Sequence, residues 1–165
     1  MEKQALKEIC SQIRELIKQT NNENVYDNII TFFNLTSPLY DCRDDIESLP
    51  IAQQKPTSFM RFFNRKKAEK IDESVRDQEE EKSLLCKAIS NSGRWLAGHN
   101  RTKKGEKVTK DKVYFGLRSY GGGWYPITEF EKYRTSDPKI YNAVASQMTQ
   151  FIKNFAEGFG KTNWL

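Results

Sequence analysis

Apolar residues recur every three or four positions through most of the chain, which is the spacing of helices with one buried face. The pattern is clearest over residues 2–20, and Asn21 and Asn22 are good N-caps for a second helix after it. Ser37 and Pro38 resemble the start of a third, short helix, because proline is tolerated at the first helical position. The residues predicted to face the core are Leu6, Ile9, Cys10, Ile13, Leu16, Ile17, Val25, Tyr26, Ile29, Ile30, Phe33, Leu39, Cys42, Ile46 and Leu49.

Charge interrupts this pattern in the middle of the chain. Residues 52–58 are polar and contain a proline, so we predict an exposed loop there. One helix from Ser58 to Leu96 would have a basic start and an acidic middle, which opposes the helix macrodipole. We therefore predict a break near residues 70–72 and a separate helix from there to about Asn91.

The pattern changes to alternation further along, which indicates β-strands. Val113, Phe115 and Leu117 are apolar and are separated by residues suited to an outward face. The glycines at 121–123 can adopt the positive φ angles of a hairpin connection, and a second β-rich run follows them. Pro126 cannot donate a hydrogen bond to a ladder, so this second strand must be short or lie at an edge.

The C-terminal part begins with the strongest helix start in the chain, Asp137 followed by Pro138. This helix is predicted to run to about Glu157, where glycines stop it, and the tail ending in Trp164 and Leu165 should dock back onto the domain. The elements together predict a predominantly helical α+β fold, with about five helices and one β-hairpin before the C-terminal helix. We expect a single domain over residues 1–165.

Composition narrows the class of protein. The chain has 165 residues, with 27 Lys and Arg, 22 Asp and Glu, one histidine and three cysteines. Three cysteines are too few for a disulfide framework, so we expect a reducing, cytoplasmic location. No apolar run approaches the roughly 20 residues of a membrane-spanning helix, and the charged N-terminus does not resemble a secretory signal. The frequent Asn, Lys and Ile suit an AT-rich genome, and we expect a bacterial or mobile-element source.

The net charge of +5 is unevenly distributed. Two basic blocks, residues 61–70 and 94–112, flank an acidic block at 72–81. Such blocks affect association and orientation more than they affect the fold. Because the segment 64–82 has almost no apolar face over most of its length, we predict that it projects into solvent or is partly disordered.

The side chains that most often carry catalysis are scarce. His99 is the only histidine, and it lies in a polar, basic stretch. Cys10, Cys42 and Cys86 form no C-x-x-C pair, so no zinc site is indicated. We therefore predict no catalytic residue, no metal and no other cofactor.

Carboxylates are the remaining route to catalysis. Glu129 and Glu131 stand in an E-x-E pattern, but Thr128 and Glu131 also match a helix capping box, which is the interpretation we prefer. The acidic run at 41–45 is interpreted as the polar face of a short helix. The glycines at 121–123 lack the further residues of a phosphate-binding loop. An enzyme that works through carboxylates alone is our third-ranked hypothesis.

A basic loop followed by an aromatic hairpin is the first candidate binding surface. Lysines that follow a phosphate backbone, beside exposed aromatic rings that stack on bases, are typical of nucleic-acid binding. An open hairpin edge equally suits a protein partner. The interpretation we prefer to nucleic acid is that Trp124 and Tyr125 are core aromatics that seal a small sheet, and that the lysines are only solvated. The residues of this surface are Arg101, Lys103, Lys104, Lys107, Lys110, Lys112, Tyr114, Arg118, Tyr120 and Trp124.

A phenylalanine cluster beside cations is the second candidate surface. Apolar and basic side chains together are typical of segments that bind an anionic membrane peripherally. We prefer the interpretation that the phenylalanines pack into the core at a helix start, with docking to a protein ranked second and the membrane third. The residues of this surface are Phe59, Arg61, Phe62, Phe63, Arg65, Lys66 and Lys67.

The scarcity of catalytic groups, together with these two surfaces, favours a small, soluble, non-enzymatic protein. We expect it to act by binding another protein, in a regulatory, inhibitory, effector or adaptor role. The alternative is a nucleic-acid-binding module that uses the basic loop 101–112 and the aromatic hairpin 113–127.

Overall fold

The structure, a computed structural model, is mostly helical. It describes residues 1–52, 65–99, 105–117 and 121–165, without the side chains at 65–68, 71 and 97–99. Its helices are α1 (Lys3–Gln19), α2 (Val25–Asp41), α3 (Arg43–Glu47), α4 (Arg65–His99), α5 (Ile127–Glu131), α6 (Tyr133–Ser136), α7 (Pro138–Lys153) and α8 (Ala156–Phe159), with a 3-10 turn at Lys110–Lys112. Strands β1 (Tyr114–Gly116) and β2 (Trp124–Pro126) form one antiparallel hairpin before the C-terminal helices. The predicted α+β, predominantly helical fold is confirmed.

The first two helices form as predicted, because each of them buries one apolar face. Leu6 and Ile13 of α1 are fully buried, and α2 buries Ile29 and Phe33. The core also contains Phe32, which the sequence pattern did not single out. Its ring lies against three aromatic rings of the C-terminal helices, so α2 is the central helix of the aromatic core.

Pro38 does not begin a third helix, and that prediction is wrong. Helix α2 continues through Pro38 to Asp41, and the short α3 follows it. Proline lacks the N–H group that would bond to the carbonyl one turn earlier, so it weakens a helix interior. Here the buried face continues across the proline, since Thr36 and Leu39 are 1% and 0% exposed. Burial of this face therefore outweighs the tendency of Pro38 to begin a new helix.

Helix α4 is continuous from Arg65 to His99, so the predicted break near residues 70–72 is wrong. The macrodipole argument fails because the dipole acts on charges in the first and last turns, and much less on charges between them. Burial decides instead. Val75 is 1% exposed and Ile89 is fully buried, so the packed face of α4 begins well inside the acidic block.

The hairpin has the predicted alternation and turn. Val113, Phe115 and Leu117 are 1%, 3% and 9% exposed, so this side of the first strand faces the core. Gly121 and Gly122 have φ angles of 79° and 71°, the left-handed region that glycine adopts without strain. The register pairs Tyr114 with Pro126, Phe115 with Tyr125 and Gly116 with Trp124. The prediction that the second strand is short is confirmed, and the strand ends at Pro126.

The last long helix starts where the sequence predicts. The side-chain Oδ1 of Asp137 accepts a hydrogen bond from the backbone N–H of Ile140 at 3.4 Å, and Pro138 is the first helical residue. The helix ends at Lys153 rather than near Glu157, so its predicted end is wrong, and Gly158 lies inside the separate α8. A Cβ at Gly158 would lie 2.6 Å from the Cβ of Ala88, so this glycine lets α8 approach α4 closely.

The C-terminal tail docks onto the core, as predicted. Trp164 is fully buried, and its carbonyl accepts a hydrogen bond from the backbone N–H of Ala52 at 2.8 Å. The Nζ of Lys82 lies 5.6 Å from the centroid of the indole ring and donates to the carbonyl of Leu49 at 2.6 Å. The tail therefore connects the end of the chain to α4 and to the segment that follows α3.

Candidate functional site

Trp124 is the most exposed large apolar side chain among the described residues, at 49%. It lies on β2 directly opposite Gly116, which has no side chain to cover the indole ring. Behind it, Trp95 of α4 forms an edge contact, with ring centroids 5.4 Å apart and planes at 72°. Trp95 in turn packs on Phe115 and Phe151 at 5.0 and 4.5 Å. We call these four residues the aromatic platform.

The aromatic platform joins an exposed indole to the core. Phe115 is 3% exposed and comes from the inward side of β1, whereas Phe151 belongs to α7. Trp95 of α4 lies between these two rings and Trp124. Both strands of the hairpin and the long helices α4 and α7 contribute a ring. The position of the exposed indole is therefore set by the core and not by the hairpin alone. Aromatic pairs of this geometry each contribute about 0.5–1.5 kcal/mol beyond the area they bury.

Lys110 is bound by carboxylates and does not face solvent freely. Its Nζ lies 2.5 Å from Oδ1 of Asp27 in α2 and 2.7 Å from Oε1 of Glu131 in α5. Burial alone would lower the pKa of Lys110, but the hydrogen bonds to these two carboxylates outweigh it and raise the pKa above its ordinary value. Lys110 therefore connects the basic loop to two helices.

The other described lysines of the basic loop differ from each other. The Nζ of Lys112 lies 3.0 Å from Oε2 of Glu106, so its charge is also balanced within the chain. Lys107 is exposed. Two of the three lysines that the structure describes in this loop therefore face carboxylates, which reduces the cationic surface that the sequence predicts.

Asn34 of α2 holds the basic loop through its backbone. Its Nδ2 donates to the carbonyl of Val108 at 3.0 Å, and its Oδ1 accepts from the N–H of Val108 at 2.9 Å. The side-chain amide thus satisfies both backbone groups of one residue, as a neighbouring strand would. Val108 is 1% exposed, so water does not replace these bonds.

We expect Asn34→Ala to lower the free energy of unfolding by about 2 kcal/mol, because it leaves a buried N–H and a buried carbonyl unpaired. Urea denaturation measures this change, and amide hydrogen exchange at Val108 should accelerate by more than the global loss of stability explains. Gln19→Ala is the matched control, since it removes an exposed side-chain bond to Glu15. A loss in Asn34→Ala no larger than in Gln19→Ala would contradict this account.

Several predicted site residues lie outside the described part of the chain. The structure therefore leaves both candidate surfaces incomplete, and Tyr114 and Trp124 remain the described aromatic members of the first. Tyr114 is half-buried. The undescribed residues are Arg101, Lys103, Lys104, Arg118 and Tyr120 of the first surface and Phe59, Arg61, Phe62 and Phe63 of the second, and the side chains of Arg65, Lys66 and Lys67 are likewise not described.

The capping box predicted for Thr128 and Glu131 is wrong. Helix α5 begins at Ile127, one residue before the threonine, and Pro126 precedes it without a side-chain cap. Glu131 binds Lys110 instead, and Glu129 lies 3.3 Å from the Nζ of Lys132. Both carboxylates are thus occupied by lysines in the fold, which does not favour acid–base chemistry by the E-x-E pair.

The thiols and carboxylates form no metal-binding cluster among the residues that the structure covers. Within them, no group of three or more His, Cys, Asp or Glu side chains could hold a metal ion. Burial raises the pKa of Cys10 to about 12 and also raises the pKa of Cys86, so neither thiol is a ready nucleophile. Cys42 is half-buried.

A cleft of about 550 Å³ on the outer side of α4 has no counterpart in the sequence predictions. It lies between α3 and α4, and its lining alternates between charged and small polar side chains. A sequence signal existed, because Glu79, Ser83, Cys86, Ser90 and Arg94 follow helical spacing, but the helix end predicted near Asn91 left Arg94 out of the row. The lining residues are Glu47, Glu79, Lys82, Ser83, Cys86, Lys87, Ser90, Asn91 and Arg94.

Comparison with protein-family models, curated proteins and solved structures gives no match to this chain. Among the described residues, no helix is both long enough and apolar enough to cross a membrane.

Proposed function

We propose that this chain is a non-enzymatic protein that acts by binding another protein, with Trp124 as the central contact. The observation that carries the proposal is the 49% exposure of an indole whose position is fixed by the aromatic platform. Tryptophan is enriched among the few residues that dominate protein–protein binding energies. A rigidly held side chain also loses little conformational entropy on binding, which favours affinity.

The partner that fits is a protein with an apolar pocket for the exposed part of the Trp124 ring. A nucleic-acid partner ranks second, because Lys110 and Lys112 are paired with carboxylates of this chain. A peripheral anionic membrane, which would use the phenylalanine cluster at 59–67, ranks third. The three free cysteines support a reducing compartment, so the proposed site of action is the cytoplasm.

The test compares wild type with Trp124→Ala. Affinity purification from the source organism identifies a reproducible partner, which is then produced separately and titrated by calorimetry. We expect Trp124→Ala to weaken binding at least about 30-fold, the effect of losing a residue worth 2 kcal/mol or more at an interface. Leu84→Ala is the matched control, because Leu84 is the other large apolar side chain exposed in the described part of the chain, at 38%, and lies on α4.

Two outcomes would indicate that the partner is not a protein. Retention on heparin that Lys103→Glu with Lys104→Glu abolishes, while Trp124→Ala leaves it unchanged, would indicate nucleic acid. Flotation with anionic vesicles that Phe62→Asp abolishes would indicate a membrane. A partner that binds wild type and Trp124→Ala with equal affinity would overturn the assignment of the contact.

A further inference from the structure

The outer face of α4 carries two opposite charges at the ends of the 550 Å³ cleft. Glu79 lies at one end and Arg94 at the other, and both side chains are exposed. Fifteen residues of α-helix separate them by about 22 Å along the helix axis. Because 79, 83, 86, 90 and 94 follow steps of three and four, the two charges lie on one face of the helix.

Neither charge is balanced within the described part of the chain. The side chains of Glu79 and Arg94 make no ion pair or hydrogen bond there, whereas Lys110, Lys112, Lys132 and Lys161 all face carboxylates. The row that runs directly between the two charges has short side chains, namely Ser83, Cys86 and Ser90, with Lys82, Lys87 and Asn91 beside it. A second helix can therefore approach the face closely between the two charged ends.

The geometry points to a second copy of this chain as the occupant of the cleft. A two-fold axis perpendicular to α4 and passing near Cys86 and Lys87 places two copies of the helix antiparallel. Glu79 of each copy then meets Arg94 of the other, so one contact is made twice, as in isologous dimers. Ser83 of each copy then lies opposite Ser90 of the other. This surface lies on the cleft side of α4 and differs from the Trp124 contact, so the inference is independent of the proposed function.

Lys87 is the feature of this face that opposes dimerisation. It lies beside the proposed axis, so the two copies of Lys87 come close to each other. Their long stems let the two ammonium groups reach water on the rim, which reduces the repulsion without removing it. Replacing this lysine should therefore strengthen the dimer, whereas a monomer would show no change.

Charge reversal tests the dimer with the full-length chain. Sedimentation velocity and light scattering measure the mass at protein concentrations up to about 100 μM, since interfaces of standard size have affinities from micromolar to picomolar. We expect a dimer for wild type, which weakens at least tenfold on Glu79→Arg and on Arg94→Glu. An equimolar mixture of the two variants should form a heterodimer, because each arginine then faces a glutamate again. Lys87→Ala should tighten the wild-type dimer severalfold.

The matched control is Glu73→Arg, the same reversal at an exposed position on another face of α4, and it should leave the dimer unchanged. Thermal unfolding followed by circular dichroism checks that each variant is folded. The proposal is overturned if wild type remains a monomer up to the highest concentration. It is also overturned if the single reversals leave a dimer intact, or if the mixture of the two variants stays monomeric.

Discussion

Gly93→Ala should destabilise the protein by about 3 kcal/mol, although the same change in most helix interiors is stabilising. A Cβ at position 93 would lie 1.9 Å from Cδ2 and 2.1 Å from Cγ of Tyr40. Those atoms are at the base of the ring, so a small rotation of the side chain does not relieve the clash. Helices α2 and α4 would have to separate. Urea denaturation should show a lower midpoint with an unchanged m-value.

A double-mutant cycle isolates the cause of this loss. In the background of Tyr40→Ala the ring is absent, so Gly93→Ala should be neutral or stabilising by up to about 1 kcal/mol. Ser83→Ala, at an exposed position of the same helix, should change stability by less than about 0.5 kcal/mol. Equal losses from Gly93→Ala with and without the tyrosine would show that contact with Tyr40 is not the reason.

Gly93 also shows why the sequence could not predict where α4 ends. A glycine after a helical run is a normal stop signal, and the sequence predicts a helix end near Asn91, two residues before Gly93. In the structure Gly93 lies inside the helix, and a glycine is needed there because the ring of Tyr40 from α2 occupies the space of a side chain. That need depends on two elements more than 50 residues apart, and no local pattern contains it. Pro38 was misinterpreted for the same reason, since burial of its neighbours decides its place.

The candidate site was partly predictable. The alternation of Val113, Phe115 and Leu117 identified the inward side of β1, and the glycines identified the turn. Local patterns of this kind depend only on the period of a strand and on allowed φ angles. They also placed Trp124 in the correct hairpin. The exposure of its ring could not be read from the sequence, because it depends on Gly116 across the strand pair and on Trp95 of another helix.

The pairing of the lysines in the basic loop with carboxylates was not predictable from composition. Lys110 and Lys112 count as cations in the sequence, yet carboxylates balance both of them. Asp27 is 83 residues from Lys110 along the chain, so their pairing is set by the packing of α2 against the loop. This pairing supports ranking a protein partner above nucleic acid, because a lysine that already faces a carboxylate is a poor contact for phosphate.

Raising the pH above 9 should destabilise the protein steeply. Ionisation of Cys10 in the unfolded chain should be the largest single cause of the first part of this loss, between pH 9 and 10. Its thiol is fully buried, and burial raises its pKa to about 12 from about 9 in an exposed thiol. Between these values the unfolded chain loses the proton and the folded chain keeps it, so unfolding is favoured as the pH rises. The stabilisation is fully present below pH 9, and about 4 kcal/mol of it is lost by pH 12.

Other buried groups act in the same direction at higher pH. Burial raises the pKa of Tyr26 and of Tyr141, whose rings stack with centroids 4.4 Å apart, so each disfavours its ionised form in the folded state. The raised pKa of Lys110 likewise stabilises the fold only while the lysine is protonated. These groups titrate in the unfolded chain near pH 10 or above, so the onset between pH 9 and 10 isolates the thiols.

Urea midpoints measured in reducing buffer at neutral pH and at intervals above pH 9 test this account. Cys10→Ala should be less stable than wild type at neutral pH by about 1–2 kcal/mol, because it leaves a small cavity. Its midpoint should then fall less than that of wild type between pH 9 and 10. Cys42→Ala is the matched control, since it removes a half-buried thiol, and it should follow the wild-type pH dependence. The thiol of Cys10 resists ionisation for as long as the buried face of α1 stays packed, so removing it must reduce the loss of stability above pH 9. If the urea midpoints of wild type and Cys10→Ala fell in parallel with pH, other groups would be the cause of the alkaline loss.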